Sequence, residues 1–442
     1  MTHFGLICPS STGHLNTMLP LGQELKRRGH RVTLVGVPNS QSKTLAAGLE
    51  FRPVWESGFL QAVGESSLPQ GAARYFDFLT QLGKRRDLKS LRSQIGWTAA
   101  RTQMYQKMYL RNAPEVIKRE GIEALLVDPS SSAGGTVAEY LNIPFISICS
   151  ALVPHLEITV PPRETVWNYN PSWWGILRNR VGYALLTQTE KPVQKVIDSY
   201  RQQWNLPPLS SLNDDYSKLA QISQQPAELE FPRQHLPEYF HFTGPYHYSG
   251  SREPIPFPYE KLTGQPIIYA SMGTLLNGLL RVFEIIAEAC MGLDAQLVIS
   301  LGGGNSPESL SELPGNPLVV GNAPQLELLQ KATLTITHAG MNTTLESLTN
   351  GVPMVAIPVM NDGLGIAARI AWTGSGEVIP LGKLSVKRLQ KAVKQVLTED
   401  SYRKNALRLQ EAIKQAGGVR RAADIIEQAI STGKPVLSRS NG

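Results

Sequence analysis

Short, uninterrupted apolar runs, each followed by a stretch with helical spacing, recur along the chain. They constrain its fold more than any other feature. In the first 150 residues the runs are His3–Cys8, Arg31–Val37, Ala124–Val127 and Phe145–Cys149. Between them, Asn16–Arg28 carries Met18, Leu21 and Leu25 on one side, and a second helical stretch falls near Gly135–Leu141. Strands without polar alternation are buried on both faces, as in parallel sheets covered by crossover helices. The alternation restarts with runs at Ile267–Ala270, Gln296–Leu301, Leu318–Val320, Leu334–Thr337 and Met354–Ile357. Helical stretches fall near Leu280–Met291, Gln325–Lys331, Thr343–Thr349, Leu364–Trp372 and Ser385–Leu397, and a last one is expected over Tyr402–Ile430. In Ser385–Leu397 the apolar residues Val386, Leu389, Val393, Val396 and Leu397 recur close to every 3.6 residues. A chain of 442 residues is too long for one ordinary core, so two α/β units in tandem are expected.

Between the units lies "HYSGSREPIPFPYEKLTGQP", Pro-rich and polar, which reads as a linker. Further strand-like segments fall at Leu219–Ser223 and Phe240–Thr243. Residues 151–215 differ from the rest: Trp167, Tyr169, Trp173, Trp174 and Trp204 sit among Pro and Asn. No run of about 18 apolar residues exists, so no membrane-spanning helix is expected. The N-terminal residues read as a first strand rather than a signal peptide. Cys8, Cys149 and Cys290 are too dispersed for a disulfide framework or a zinc site, and a cytoplasmic setting is expected. The net charge is +7, with basic clusters at Lys26-Arg27-Arg28, Lys84-Arg85-Arg86 and Arg420-Arg421. They read as solvated helix faces or as a lure for an anionic substrate or membrane surface. No nucleic-acid-binding pattern accompanies them.

The stretch "THAGMNTTLESLTNGVP", residues 337–353, places His338, Gly340, Asn342 and Thr343 at a strand-to-helix junction. In open parallel sheets ligands bind beyond the carboxyl ends of the strands. A helix start there offers free N–H groups and a partial positive charge, Gly340 permits close approach, and the neighbouring side chains add short donors. Such a junction fits a diphosphate. Asn342 and Thr343 are equally able to cap the helix. Glu346, one turn further, is placed to accept from two ribose hydroxyls. "NAPQLELL" (322–329) and "GVPMVAIPVMNDG" (351–363) flank the junction, the second ending on Asp362.

Residues 322–363 resemble the donor signature of family-1 glycosyltransferases, UDP-dependent enzymes of the GT-B fold. That pattern is W-x-P-Q, a strand, H-x-G-x-N-[ST]-x-x-E, G-V-P and a final D-Q. Here it is matched by Pro324-Gln325, His338 through Glu346, Gly351-Val352-Pro353 and Asp362. The resemblance implies an N-terminal acceptor-binding Rossmann-like domain over 1–246, a linker over 247–265 and a donor-binding one over 266–442, its last helix packing back on the first domain. It implies that His338, Asn342, Thr343 and Ser271 (in "ASMGT") contact diphosphate, that Glu346 binds ribose, and that Asp362 binds sugar hydroxyls. Asn322, Ala323, Gln325, Gly340 and Gly363 fall within the same donor-binding set. Asn322 stands where the family has a base-stacking tryptophan, and Gly363 where it has glutamine. The first leaves a UDP or a thymidine diphosphate sugar open, and the second leaves the hexose open. No separate cofactor and no metal are implied, and no D-x-D motif occurs in the chain. Asp214-Asp215 reads as a solvated loop.

His14, in "CPSSTGHLNTMLPLG", and Asp128, ending "ALLVD", both follow first-domain strands. A histidine has the pKa range of a general base, and a carboxylate can orient it. Either residue alone also serves as a cap or core group. The resemblance makes His14 the base and Asp128 its partner, in an inverting transfer of a hexose, glucose foremost, to a hydroxyl of a hydrophobic small molecule, with carotenoid, flavonoid and macrolide acceptors and a membrane-associated lipid all open. The aromatic segment 151–215 reads as the acceptor wall, Trp173-Trp174 also as packing or a membrane-interface anchor, and His155 as structural. A monomer is expected, and peripheral membrane contact stays open. An NAD-linked oxidoreductase needs G-x-G-x-x-G after the first strand, where only Gly13 stands. A non-catalytic nucleotide-sugar binder would not need His14 and Asp128.

Overall fold

The computed structural model describes residues 1–55, 88–248, 252–274, 279–303, 306–310 and 312–438. The cluster Lys84-Arg85-Arg86 lies outside them. The strands are β1 (His3–Ile7), β2 (Arg31–Gly36), β3 (Glu50–Pro53), β4 (Ala124–Val127), β5 (Phe145–Cys149), β6 (Gln221–Ser223) and β7 (Phe240–Phe242), then β8 (Ile267–Ser271), β9 (Gln296–Ser300), β10 (Leu318–Val320), β11 (Ala332–Thr337), β12 (Met354–Ala356) and β13 (Gly376–Val378). They form two parallel sheets, ordered β3-β2-β1-β4-β5-β6-β7 and β10-β9-β8-β11-β12-β13. Both begin with the doubly wound order, so each reverses direction of winding between its first and fourth strands. The switch points are the β1/β4 pair, where Ile7 is in register with Val127, and the β8/β11 pair, where Ser271 is in register with Thr337. His14 and Asp128 follow the first pair, Ser271 ends β8, and His338 follows β11.

Burial on both faces explains the apolar runs. Phe4, Leu6 and Ile7 of β1 and Ile268 and Ala270 of β8 are fully buried, and each large one contributes about 1.5–3 kcal/mol. The helix Gly418–Thr432 packs Ala422, Ala423, Ile425, Ile426 and Ala429 against Phe4, Leu6, Met18 and Leu21 of the first domain. Arg28 holds it there, donating to Asp424 at 2.6 Å and to Glu427 at 2.7 Å. Within the basic cluster 26–28, Arg28 is therefore paired and mostly buried rather than solvated.

Several expected elements differ. The stretch Tyr402–Ile430 is two helices, Asp400–Ala416 and Gly418–Thr432, because Gly417 takes a left-handed conformation (φ +91°). The aromatic segment contains a 31-residue helix, Trp173–Gln203, that runs through Pro192 and is capped by Ser172, whose hydroxyl accepts from Gly175 N–H. A second long helix, Leu88–Glu120, packs beside it. Asp214-Asp215 is not a solvated loop: it ends a 3₁₀ turn capped through Ser211 and Asp214, and Asp215 keeps one carboxylate oxygen buried. Burial pushes the Asp215 carboxyl well up. The edge strands β3 and β13 have no clear counterpart in the sequence pattern.

Candidate active site

The helix Met341–Thr349 begins directly after β11, and its N-cap is Gly340 (φ −67°, ψ 141°), with no capping side chain. Asn342 and Thr343 are therefore not caps, and among the described residues no side chain caps the first-turn N–H groups. Just before it, Ala339 is fully buried and left-handed (φ +63°). That conformation costs a residue with a Cβ about 1–2 kcal/mol, and here it folds His338 back over the helix start. The imidazole lies between two glycines: a Cβ on Gly340 would stand 2.5 Å from its Nε2, and one on Gly273 would stand 2.5 Å from its Cε1. Its Nδ1 is buried without a partner. Burial, only partly opposed by the backbone of Ser271, pushes its pKa down to about 4. His338 is thus a neutral donor near pH 7, beside a cradle of N–H groups. The Ser271 hydroxyl accepts from Gly273 N–H at 3.2 Å on the same rim.

Glu346 is fully buried at the end of that cradle. Arg252, from the inter-domain segment, forms an ion pair with its Oε1 and donates to its Oε2 at 3.3 Å. Gln325 donates to Oε2 at 2.6 Å and to the Thr343 hydroxyl at 3.3 Å, and accepts from Tyr269 at 3.0 Å. The Gln325 side chain thus bridges Tyr269, the Thr343 hydroxyl and the Glu346 carboxylate. Ala323 is buried, whereas Asn322 is exposed and lies over Gly303, where a Cβ would come within 3.1 Å of its amide.

On the first domain, His14 lies in the first turn of the helix Thr12–Arg27. Its Nδ1 is 2.7 Å from Oδ2 of Asp128, which is fully buried. The other Asp128 oxygen accepts from Ser130 N–H at 2.8 Å. Burial opposes ionisation of Asp128, but the charge and hydrogen bond of His14, the nearby Ser150 hydroxyl and the Ser130 amide outweigh it, so the carboxyl titrates below its usual range. Burial also pulls the His14 pKa down, and the charge and hydrogen bond of Asp128, with a smaller contribution from Asp362, more than reverse this. Nδ1 is occupied, so Nε2 is the nitrogen left to take a proton. Asp362 accepts from Leu152 N–H at 3.4 Å across the domain boundary, and burial raises its pKa. Gly363 starts the next helix, Gly363–Trp372, and a Cβ there would stand 3.1 Å from the His338 carbonyl oxygen.

The two halves touch through the same groups. Asn342 Nδ2 donates to the Gly13 carbonyl at 2.8 Å, and Asn342 Oδ1 accepts from Gln224 at 3.0 Å. Nearby, the buried Arg369 guanidinium pairs with Glu230 and lies over the Phe231 ring. So the fold brings His14, Asp128, Asp362 and Asn342 to one junction, with His338 and Glu346 on the second-domain side. Trp173 and Trp174 are not in it: they stack on each other and are 63% and 62% exposed. His155 is packed against Tyr216 and Phe240, and burial with Arg233 pushes its pKa down to about 4. Arg252 and Gln224 escape sequence reasoning, because neither belongs to a spaced pattern.

Two doubly wound domains meeting through the loops at their strand ends make up the GT-B architecture, and solved structures share it. The glycosyltransferase of kitacinnamycin superposes with a TM-score of 0.72 at 22% identity, covering 97% of this chain and 99% of that one. CalG4, the calicheamicin glycosyltransferase, superposes with a TM-score of 0.71 at 21% identity, covering 98% and 100%. Among relatives of known sequence, the zeaxanthin glucosyltransferase of Pantoea ananas is 32% identical over 442 residues, 100% of this chain and 99% of its own. That of Pseudescherichia vulneris is 29% identical over 439 residues, 99% and 100%. The UDP-glucoronosyl and UDP-glucosyl transferase family matches residues 198–416. The chain belongs to that family, the family-1 glycosyltransferases.

Proposed function

We propose that the protein transfers a hexose, glucose foremost, from a nucleoside diphosphate sugar to a hydroxyl of a hydrophobic small molecule, with inversion and without a metal. His14 Nε2 takes the proton of the acceptor hydroxyl as its oxygen bonds to C1 of the sugar. The C1–O bond to phosphate breaks, its electron pair leaves with the nucleoside diphosphate, and C1 inverts. Asp128 holds the ring by Nδ1 and stabilises the imidazolium. The leaving charge is met by the N–H groups at Met341–Thr349 and by neutral His338. UDP and thymidine diphosphate sugars both remain candidates, with Glu346 holding the ribose, Asp362 the hexose and Asn322 in place of a stacking ring. The observation that carries the reading is the 2.7 Å His14–Asp128 pair one residue from the Gly13 carbonyl that the donor-side Asn342 grips.

The names of the two relatives support a carotenoid-like acceptor: a long apolar body ending in a hydroxyl. The test is to supply UDP-glucose or TDP-glucose with a panel of apolar alcohols, weigh the products by mass spectrometry and read the anomeric configuration by NMR. His14→Ala should lose roughly 10²–10⁴-fold in rate while still binding nucleotide. Unchanged turnover would remove His14 from the mechanism.

A second reading, delivery of the acceptor from a membrane surface, is favoured by the helix Trp173–Gln203. Trp173, Trp174, Leu177, Val181 and Leu185 are exposed along one side of it, with exposed Arg180, Lys191 and Lys195 nearby. Aromatic, aliphatic and basic groups in that arrangement suit an anionic lipid interface. Among the described residues no helix is long and apolar enough to cross a membrane. Co-sedimentation with anionic vesicles, abolished by Trp173→Ala and Trp174→Ala together, supports this reading. A protein that stays in the supernatant rejects it.

A further inference from the structure

We infer that Gln224 is a positioning residue that ties the base loop of the first domain to the donor helix of the second, so that His14 is aimed by closure of the two domains. The inference rests on the reading of His14 as the base. Gln224 follows β6 directly, on the carboxyl rim of the first sheet, and is 2% exposed. Its amide nitrogen has two hydrogens, and both are donated. One goes to the Ser150 carbonyl at 2.6 Å, at the end of β5, and the other to Asn342 Oδ1 at 3.0 Å, on the donor helix. Asn342 in turn donates to the Gly13 carbonyl at 2.8 Å, and the next residue is His14. His14 is bonded to Asp128. The hydrogen bonds therefore run in one line across the boundary, from the Ser150 carbonyl through Gln224 and Asn342 to the Gly13 carbonyl beside His14.

The physical point lies in where the second hydrogen of Gln224 finds its acceptor. A buried amide N–H needs a partner, and this one has it only on the other domain. Asn342 is likewise satisfied on both ends by first-domain groups. If the domains part, both bonds across the boundary are lost, and the Gly13–His14 loop loses the contact that fixes its height over the cleft. If they close, the asparagine that sits at the diphosphate cradle also holds the carbonyl next to the base. Donor occupancy and base orientation thus share one side chain, with Gln224 as its support. The base is then not aligned while the donor domain is away, which guards the sugar against attack by water. No spaced motif includes Gln224.

The test compares Gln224→Met, of similar length but without N–H groups, with wild type, using UDP-glucose and an accepted apolar alcohol. Two neutral hydrogen bonds are removed, so kcat should fall roughly 5- to 100-fold. UDP affinity by calorimetry should change less than about three-fold, since Gln224 is not assigned to the nucleotide. The acid limb of the kcat/KM profile should move, because the His14–Asp128 geometry loosens. Asn342→Ala should cost less in the Gln224→Met background than alone, because the two act through one link. Wild-type kcat with an unmoved limb overturns the inference. So do strictly additive effects, or a loss that disappears once the assay temperature is lowered to match the variant's lower Tm. Gln224→Asn, too short to span both acceptors, serves if the methionine variant does not fold. His14→Ala is assayed alongside: an active His14→Ala variant defeats the base reading itself, whereas an inactive one beside a wild-type-like Gln224→Met defeats only the coupling.

Discussion

An Asp128→Asn substitution removes one charge and reverses one hydrogen bond while keeping the shape of a fully buried side chain. Its carbonyl can still accept from Ser130 N–H, now 2.8 Å from Asp128 Oδ1. Its NH₂ group then faces His14 Nδ1, at the present 2.7 Å contact. Nδ1 must become an acceptor, so the ring proton moves to Nε2, the nitrogen that has to take the acceptor's proton. Losing a hydrogen bond to a charged group costs about 1.5–3 kcal/mol, roughly 10- to 150-fold. Losing the usable tautomer removes general-base catalysis, worth roughly 10²–10⁴-fold. The expected fall in kcat/KM is therefore about 10² to 10⁴, with nucleotide affinity retained.

The pH profile supplies a second readout. The proposed base role needs His14 neutral, and its pKa is raised above 6.5 despite burial, by Asp128 first and by Asp362 less. In the wild type kcat/KM should fall as pH drops through that raised value. In Asp128→Asn, burial has less to oppose it, so the acid limb should shift to lower pH. Stability follows the same linkage with its own signs. The raised His14 pKa contributes stability that is fully present below 6.5 and is lost as pH rises through the folded value. The depressed Asp128 pKa contributes stability that is present above 3.8 and is lost as pH falls through its folded value. Rates measured from about pH 5 to 9, with Tm at each pH, decide the matter. A fall of less than about ten-fold, or an acid limb that does not move, would refute the dyad.

Further outcomes are expected. Glu346→Ala should weaken UDP about ten-fold or more by calorimetry, and equal affinity would remove the ribose role. Activity should persist in EDTA, whereas complete, magnesium-reversible loss would refute the metal-free account. Gly363→Gln places a Cβ 3.1 Å from the His338 carbonyl, so that backbone must yield slightly. The added amide should sharpen the preference between UDP-glucose and UDP-galactose by roughly two- to twelve-fold. An unchanged ratio in a folded variant would place sugar selection elsewhere.

Much of the architecture was legible in the sequence because it rests on local signals. Doubly buried strands are continuous apolar runs, so β1, β4, β5, β8, β9 and β11 show themselves. The strand-to-helix junction proposed for the donor shows itself because a diphosphate needs a glycine, short donors and a helix start within a few residues, and 338–346 has all three. The strands β3 and β13 were not legible, since Glu50-Phe51-Arg52-Pro53 and Gly376-Glu377-Val378 are short and interrupted by charged residues, whereas the other two edge strands, β7 and β10, keep apolar residues that mark them. The helix Trp173–Gln203 was masked by its aromatics and by Pro192, whose cost within a helix is tolerated where tertiary packing holds both sides. Gly417-Gly418 divides the terminal helix, both residues taking positive φ, a Gly-Gly break that the helical spacing on either side of it masked.

By itself, then, the chain determined that two parallel α/β units would form, and which short segment would place a glycine and short donors at a helix start, because neighbours in sequence decide both. Only the tertiary structure decided what those groups do to one another. His14 and Asp128 are 114 residues apart, Gln224 and Asn342 118, and Gly13 and Asn342 329. Asn342 looks like a helix cap in sequence, yet Gly340 takes that position and frees its amide to reach the other domain. Arg252 looks like a linker charge, yet it neutralises a fully buried carboxylate. A hydrogen bond acts over about 3 Å whatever the separation along the chain, so such pairings become visible only once folding has brought both partners to the same cleft.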